Sequence, residues 1–367
     1  MGNIRLGKAE IRDGLALAPM AGVTDRAFRR VCRQFGASYS VSEMVSAKAL
    51  CLEQAARHSG SSRCISGELA SVMPDEMPMA VQLFGHEPEV MAEAAARLAS
   101  GDFRGREGHV IPAAVDINMG CPVRKIVGNG EGSALMRDPD LAGRIVEAVV
   151  HAAGQLPVTV KLRNGFDDET LNAPELARVC EAAGAAMLCI HGRTRVQGYA
   201  PGVNRAVIRA VKQAVRIPVL ANGDIYTPAD ALSMLSETGC DGIMVARGAM
   251  GRPWLFAEIR AALRGESYTP PDPDQRFDIA LSQVRDMIAE KGERVGLAEA
   301  KKHLAWYCNG LDGAADCRLR IMQSTCLDEM EAAVRDLAQA QDGRLRTLPP
   351  RAERAKPKQG CTHDTGI

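Results

Sequence analysis

The stretch VDINMGCPVRK, residues 115 to 125, sets a cysteine into a Gly-Pro turn directly behind an apolar run. A thiol placed there is either a small buried filler or a chemical group presented at the end of a strand. What stands at the ends of similar runs decides between the two. There the chain collects Met20, Glu43, Gln82, Asn118, Cys121, Lys161, Arg163, His191, Arg193, Asn222, Asp224 and Arg247. Taken singly, each has a structural use: Glu43 or Asp224 caps a helix, and His191 is a satisfied core imidazole. Polar and charged groups at nearly every strand end make a site instead. The last two ends, ANGDI and ARGAMG, add glycines that free backbone N–H groups, beside the cation of Arg247. That combination suits a phosphate, and so a phosphorylated ligand such as FMN or a sugar phosphate.

The elements that must position these residues are short apolar runs closed by Gly, Pro, Asn or Asp. They are LALAPMAG (15–22), YSVSEMVSA (39–47), MAVQLFG (79–85), VDINMGCP (115–122), VTVKLRNG (158–165), AMLCIHGRT (186–194), PVLANGDI (218–225) and GIMVARGAMG (242–251). Between them lie amphipathic, alanine-rich stretches such as PEVMAEAAARLA, ELARVCEAAG and PADALSMLSETG. Pro88 and Pro228 stand where a first helical turn accepts proline. Eight strand–helix units predict an α/β fold, a (β/α)8 TIM barrel with its site at the carboxyl ends of the strands. The rival, a doubly wound open sheet, lacks its Gly-rich fingerprint after the first strand. GNGEG at 128–132 is out of place for that fingerprint and reads as a loop.

Composition narrows the class. The chain has 367 residues, 46% hydrophobic and 25% charged, as expected of a soluble globular protein. Forty-five basic residues balance 45 acidic ones, so nucleic-acid binding would need a local patch rather than an overall charge. No secretory segment, myristoylation signal or membrane span is read, and a cytoplasmic location is expected. The 11 cysteines are scattered without a CxxC pair, which argues against a disulfide framework or zinc ribbon.

LAPMAGVTDRAFR, VSEM, VQLFG, DINMGCP, VKLRNG, IHGRT and ANGDI…ARGAMGRPW together resemble the tRNA-dihydrouridine synthases of the bacterial B type. The likeness runs in order from about residue 11 to 256, and KKHLAWY extends it into the tail. It implies an FMN-containing barrel followed by a small helical domain, with tRNA gripped between them and NADPH as reductant. Hydride would reach C6 of a uracil while Cys121, the matching general acid, protonates C5. An ordinary thiol pKa of about 8.5 keeps the group protonated at neutral pH yet able to release its proton.

The same resemblance implies that Pro19, Met20 and Ala21 line the flavin ring and that Gln82 bonds its pyrimidine edge. Lys161 would stabilise negative charge near N1 and O2, and His191 would contact the flavin. Asn222, Gly223 and Asp224, with Ala246, Arg247 and Gly248, would hold the phosphate. Asn118 and Arg193 are candidates for holding the uracil, and position 17 of the D-loop is the favoured target. The sequence departs from the family pattern in having Ala246 for Gly, Asn129 for Lys, and YAPGVNRA after the HGRT motif.

The domain boundaries read from the sequence are a barrel over 1–264, a Pro-rich linker over 265–276, a helical tRNA-binding domain over 277–342 and a basic tail over 343–367. Lys301, Lys302, His303, Arg318 and Arg320 are candidates for the local basic patch. Cys308, Cys317 and Cys326 recur every nine residues. Apolar fillers are the expected reading, hence no metal, with a 4Fe–4S cluster as the minority alternative. No membrane contact and no obligate protein partner are expected. The competing functions are an FMN-barrel reductase of a free pyrimidine or enone, and a catalytically silent RNA-binding scaffold.

Overall fold

The computed structural model describes residues 2–55, 65–103, 105–200 and 202–341. The expected tail over 343–367 lies outside the described residues. The chain opens with an antiparallel hairpin, β1 (Ile4–Leu6) and β2 (Ala9–Ile11). Eight parallel strands follow: β3 (Leu15–Leu17), β4 (Tyr39–Ser46), β5 (Met79–Phe84), β6 (Ala114–Met119), β7 (Val158–Arg163), β8 (Met187–His191), β9 (Val219–Asn222) and β10 (Gly242–Val245). They close in sequence order, with β10 pairing both β9 and β3. The expected TIM barrel is the observed fold.

Helices fill the crossovers. These are α1 (Arg26–Gln34), α2 (Ala47–Ala55), α3 (Ile65–Ala70), α4 (Pro88–Ser100), α5 (Arg124–Gly128), α6 (Pro139–Ala153), α7 (Ala173–Ala182), α8 (Arg205–Ala214), α9 (Pro228–Thr238) and α10 (Leu255–Arg264). Pro88 and Pro228 occupy first turns, where the missing N–H costs nothing. Thr227 and Asp230 close α9 with a capping box.

Strand alternation builds the site. Leu15, Leu17, Val81, Leu83, Val115, Ile117, Val160, Leu162, Leu188 and Ile190 point outward into the helix-facing core. The other phase points inward. Ala16, Val41, Ala80, Ala114, Met187, Cys189, Leu220 and Met244 pack with Ile4, Leu6 and Ile11 of the hairpin, which contributes to the barrel interior. Further along the inward phase come Gln82, Asn118, Lys161, His191 and Asn222. Polar groups thus gather toward one end of the barrel, with the buried Asp116 and Thr159 just beneath them.

A second apolar cluster belongs to α11 (Pro273–Lys291), α12 (Glu293–Tyr307), α13 (Ala314–Gln323) and α14 (Leu327–Gln339). Ala27 of α1 and Trp254, which precedes α10, join it, so the helical bundle is packed onto the barrel. Ion pairs mark the same seam: Arg26 with Glu290 (3.2 Å), Arg30 with Asp286 (3.1 Å) and Lys291 with Asp25 (2.5 Å). Among the described residues no helix is long and apolar enough to cross a membrane.

Candidate active site

A cavity of about 510 Å³ opens at the carboxyl ends of the strands. Pro19, Met20, Ala21, Gln82, Asn118, Cys121, Lys161, His191, Asn222, Gly223, Asp224, Ala246 and Arg247 all line it. Gly248 and Arg193 do not. A Cβ at Gly248 would meet the Ile225 carbonyl at 2.1 Å, so this glycine permits a close backbone approach behind the wall. Ala246 has φ −114° and so does not need the left-handed conformation that favours glycine.

The turn carrying Cys121 is built by its neighbours. Asn118 Oδ1 accepts the backbone N–H of Gly120 (3.1 Å) and of Cys121 (2.9 Å), an Asx-type turn. Arg163 clamps it from the next strand. Its Nε donates to the Gly120 carbonyl (2.6 Å) and its Nη1 to the Thr194 carbonyl (3.0 Å), tying the loops after β6 and β8 together. Cys121 is half-buried, and burial pushes its thiol up, against the pull of the Val123 N–H and Arg163. The group therefore stays protonated at neutral pH, as a proton donor must.

Cations gather on the strands that follow. Lys161 Nζ donates to Asn222 Oδ1 at 3.3 Å, and burial lowers its pKa, with Arg163 adding to the effect. His191 is held well below its ordinary range, first by burial and then by Lys161, Arg163, Arg193 and Arg247. Arg193 Nη1 lies 3.3 Å from His191 Nε2. A guanidinium only donates, so Nε2 accepts and the neutral ring carries its proton on Nδ1. Arg193 itself is 1% exposed and pairs with Asp224, while its Nε donates to the Ala200 carbonyl (2.7 Å). The structure therefore puts Arg193 behind the wall, against its candidacy for gripping a base: its donors are already engaged.

Asp224 adopts φ +49° and Gly223 φ +122°. The aspartate is kept in this left-handed conformation by Arg193, by the Val203 N–H (3.2 Å) and by Arg247 (3.7 Å). Arg247 also lies over the Tyr199 ring, 4.7 Å from its centroid, and Tyr199 is 61% exposed at the cavity lip. Apolar walls (Ala18, Met20, Met44, Met244), an amide edge (Gln82) and two cations (Lys161, Arg247) fit a flat, anionic, phosphorylated cofactor. Tyr199, Met44 and Met244 were not singled out in the sequence. Strand phase alone finds Met244, two residues before Ala246, whereas Tyr199 sits in a loop that carries no period.

The tail candidates divide. The Lys302 ammonium lies beside Gly22, next to the Pro19–Ala21 wall; a Cβ at Gly22 would sit 3.7 Å from it. Lys301 donates instead to the Met322 carbonyl (3.0 Å), and Arg318 lies near the Cys308 and Cys317 thiols. Arg320 pairs with Asp336 at 2.8 Å. His303 leaves the basic patch altogether: it is 1% exposed, and burial brings its pKa down to about 4, so it is neutral. Its Nδ1 accepts from Gln283 Nε2 at 2.9 Å.

Cys308 and Cys317 meet, Sγ to Sγ at 3.7 Å, both buried. Among the described residues no three His, Cys, Asp or Glu side chains converge as a metal cage, so Cys326 does not join them. Among the described residues the three thiols form no common site: Cys308 and Cys317 fill the bundle core, and Cys326 precedes α14.

Comparison with known proteins agrees with this geometry. A probable tRNA-dihydrouridine synthase of Rickettsia conorii is 43% identical over 86% of this chain and 90% of that protein. The tRNA-dihydrouridine synthase B of Xanthomonas axonopodis pv. citri is 39% identical over 95% and 98%. Among solved structures, an old yellow enzyme homologue from Zymomonas mobilis aligns over 75% of this chain and 95% of its own, with a TM-score of 0.46 and 14% identity, too loose a likeness to bear on the site. The model of the dihydrouridine synthase family matches residues 16–342, barrel and helical bundle alike, and the chain belongs to that family.

Proposed function

We propose that the protein reduces the 5,6 double bond of a uridine in the D-loop of tRNA, position 17 being the favoured target, with FMN as cofactor and NADPH as reductant. The observation that carries the reading is that Cys121 and Lys161 open onto one cavity, with the Gln82 and Asn118 amides also on its wall. FMN bound there supplies the hydride. Lys161 and the neutral His191 would hold negative charge at the cofactor, and Arg247 with the Gly223–Asp224 turn would hold its phosphate.

Cys121 gives its Sγ proton to C5 as C6 takes the hydride, and burial, by holding the thiol protonated, suits it to that task. The Asn118 amide, beside the thiol, offers an N–H to a uracil carbonyl. Tyr199 at the lip gives a face on which a neighbouring base stacks, and Lys302 supplies a cation for the RNA backbone. The target base enters by extrusion from its loop.

The test is direct. Purified protein is expected to be yellow, with one FMN per chain, and to form dihydrouridine in unmodified tRNA only when NADPH is present. Colourless protein that takes up no added FMN contradicts the cofactor. Reduction of free uracil or of an enone, with tRNA untouched, contradicts the substrate.

A further inference from the structure

Asp116 lies on β6 directly between Gln82 of β5 and Thr159 of β7, its register partners on the two neighbouring strands. It is 3% exposed and does not line the cavity. Its Oδ2 accepts from the Gln82 amide nitrogen at 2.7 Å, and its Oδ1 accepts from the Thr159 hydroxyl. Gln82 Oε1 in turn accepts from Asn118 Nδ2 at 2.7 Å. Asn118 Oδ1 closes the row on the Gly120 and Cys121 N–H groups.

Both ends of this row have a fixed sense. The backbone N–H groups at the Cys121 end can only donate, and a carboxylate can only accept. The two amides between them must therefore lie head to tail, every bond pointing toward Asp116. Burial pushes the Asp116 carboxyl up to about 6, against the pull of Thr159, Gln82 and Lys161, which leaves it ionised at pH 7.

We propose that Asp116 is a positioning residue: as terminal acceptor it fixes the orientation of the Gln82 and Asn118 amides, and through Asn118 the turn that presents Cys121. Without the acceptor Gln82 has no reason to keep its nitrogen away from the cavity, and a reversed Gln82 would set nitrogen against the nitrogen of Asn118. The consequence for catalysis rests on the flavin-reductase reading above, but the positioning of Cys121 does not.

The geometry also separates acceptor from charge. In Asp116→Asn the new amide oxygen can still accept from Gln82, while its nitrogen donates to Thr159, whose hydroxyl rotates to accept. In Asp116→Leu, close in size, no acceptor remains. The first readout is the alkylation rate of Cys121 by iodoacetamide in FMN-free protein, followed by peptide mass. Asp116→Leu is expected to raise it about tenfold, the scale set by one net hydrogen bond, and Asp116→Asn to leave it within about twofold.

The second readout is the rate at which tRNA reoxidises the pre-reduced enzyme, per bound FMN at saturating tRNA. It should fall about tenfold in Asp116→Leu while reduction by NADPH holds. Should Asp116→Leu fail to fold, Gln82→Met cuts the row at its middle and is expected to give the same rise in alkylation. Unchanged alkylation in these variants, or equal effects of Asp116→Asn and Asp116→Leu, overturns the proposal. A tenfold rise in alkylation in protein that makes no dihydrouridine would keep the positioning role and remove only the enzymatic reading.

Discussion

The cavity wall and the seam between barrel and helical bundle both bury charge, in opposite ways. At the seam carboxylates and cations face each other across barrel and bundle. Lys291 of the bundle joins Asp25 of the barrel and Glu299, and just behind the seam, within the barrel, Arg29 Nη2 meets Glu76 Oε1 at 2.6 Å with both side chains under 10% exposed. At the cavity the Lys161 ammonium bonds an amide oxygen at 3.3 Å rather than a carboxylate, and four cations bear on His191. Paired charges hold two surfaces in one geometry. On the proposed function a bound ligand would complete the others.

The comparison breaks most sharply by exchanging the two kinds of damage. Glu76→Leu strands the Arg29 guanidinium and is expected to cost about 3–5 kcal/mol in urea unfolding, with little change in rate per FMN-loaded chain. Lys161→Met should do the reverse. Stability holds or rises, since an unpaired buried cation is removed, and dihydrouridine formation per bound FMN falls roughly 10²- to 10³-fold. Equal effects of both variants on both measurements would erase the distinction.

Acid sharpens it further. His303, beside the seam, has a folded pKa of about 4 against an ordinary 6.5, so its neutral form stabilises the fold above pH 6.5 and that contribution is lost as pH falls toward 4. The shift is worth about 3 kcal/mol. Asp116, under the cavity, has the opposite sign. Raised from 3.8 to about 6, it favours the fold at low pH, and that contribution is lost as pH rises from about 4 to 6. This too is about 3 kcal/mol. Wild type minus His303→Gln should therefore shrink on acidification, and wild type minus Asp116→Asn should grow; slopes of the same sign would contradict the assignments. The smallest effect is expected at Cys326. Cys326→Ser should leave iron content, absorption and activity as they are.

Much of this was legible in the sequence. Most barrel strands are apolar runs stopped by Gly, Pro, Asn or Asp, and inward phase carries Gln82, Asn118, Lys161, His191 and Asn222 to one rim. What was not legible depends on pairing in space. Arg193 and Arg247 look alike in sequence, yet one is buried on Asp224 and the other reaches the cavity. Lys302 and His303 are adjacent, but only the lysine reaches toward the cavity wall, because the histidine points into the helical core. The β1–β2 hairpin had a signal in Ile4, Leu6 and Ile11 alternating around Gly7, and three-residue strands are too short for the pattern to stand out.

The central claim is that the half-buried thiol of Cys121 supplies the proton at C5. The direct measurement is stopped-flow reoxidation of NADPH-reduced, FMN-loaded enzyme by unmodified tRNA under anaerobic conditions, wild type against Cys121→Ala. The account predicts unchanged FMN content and reduction by NADPH, with reoxidation about 10²- to 10⁴-fold slower in the variant. Reoxidation of Cys121→Ala at the wild-type rate would contradict it, and the thiol in NMGCP would then be a turn residue and nothing more.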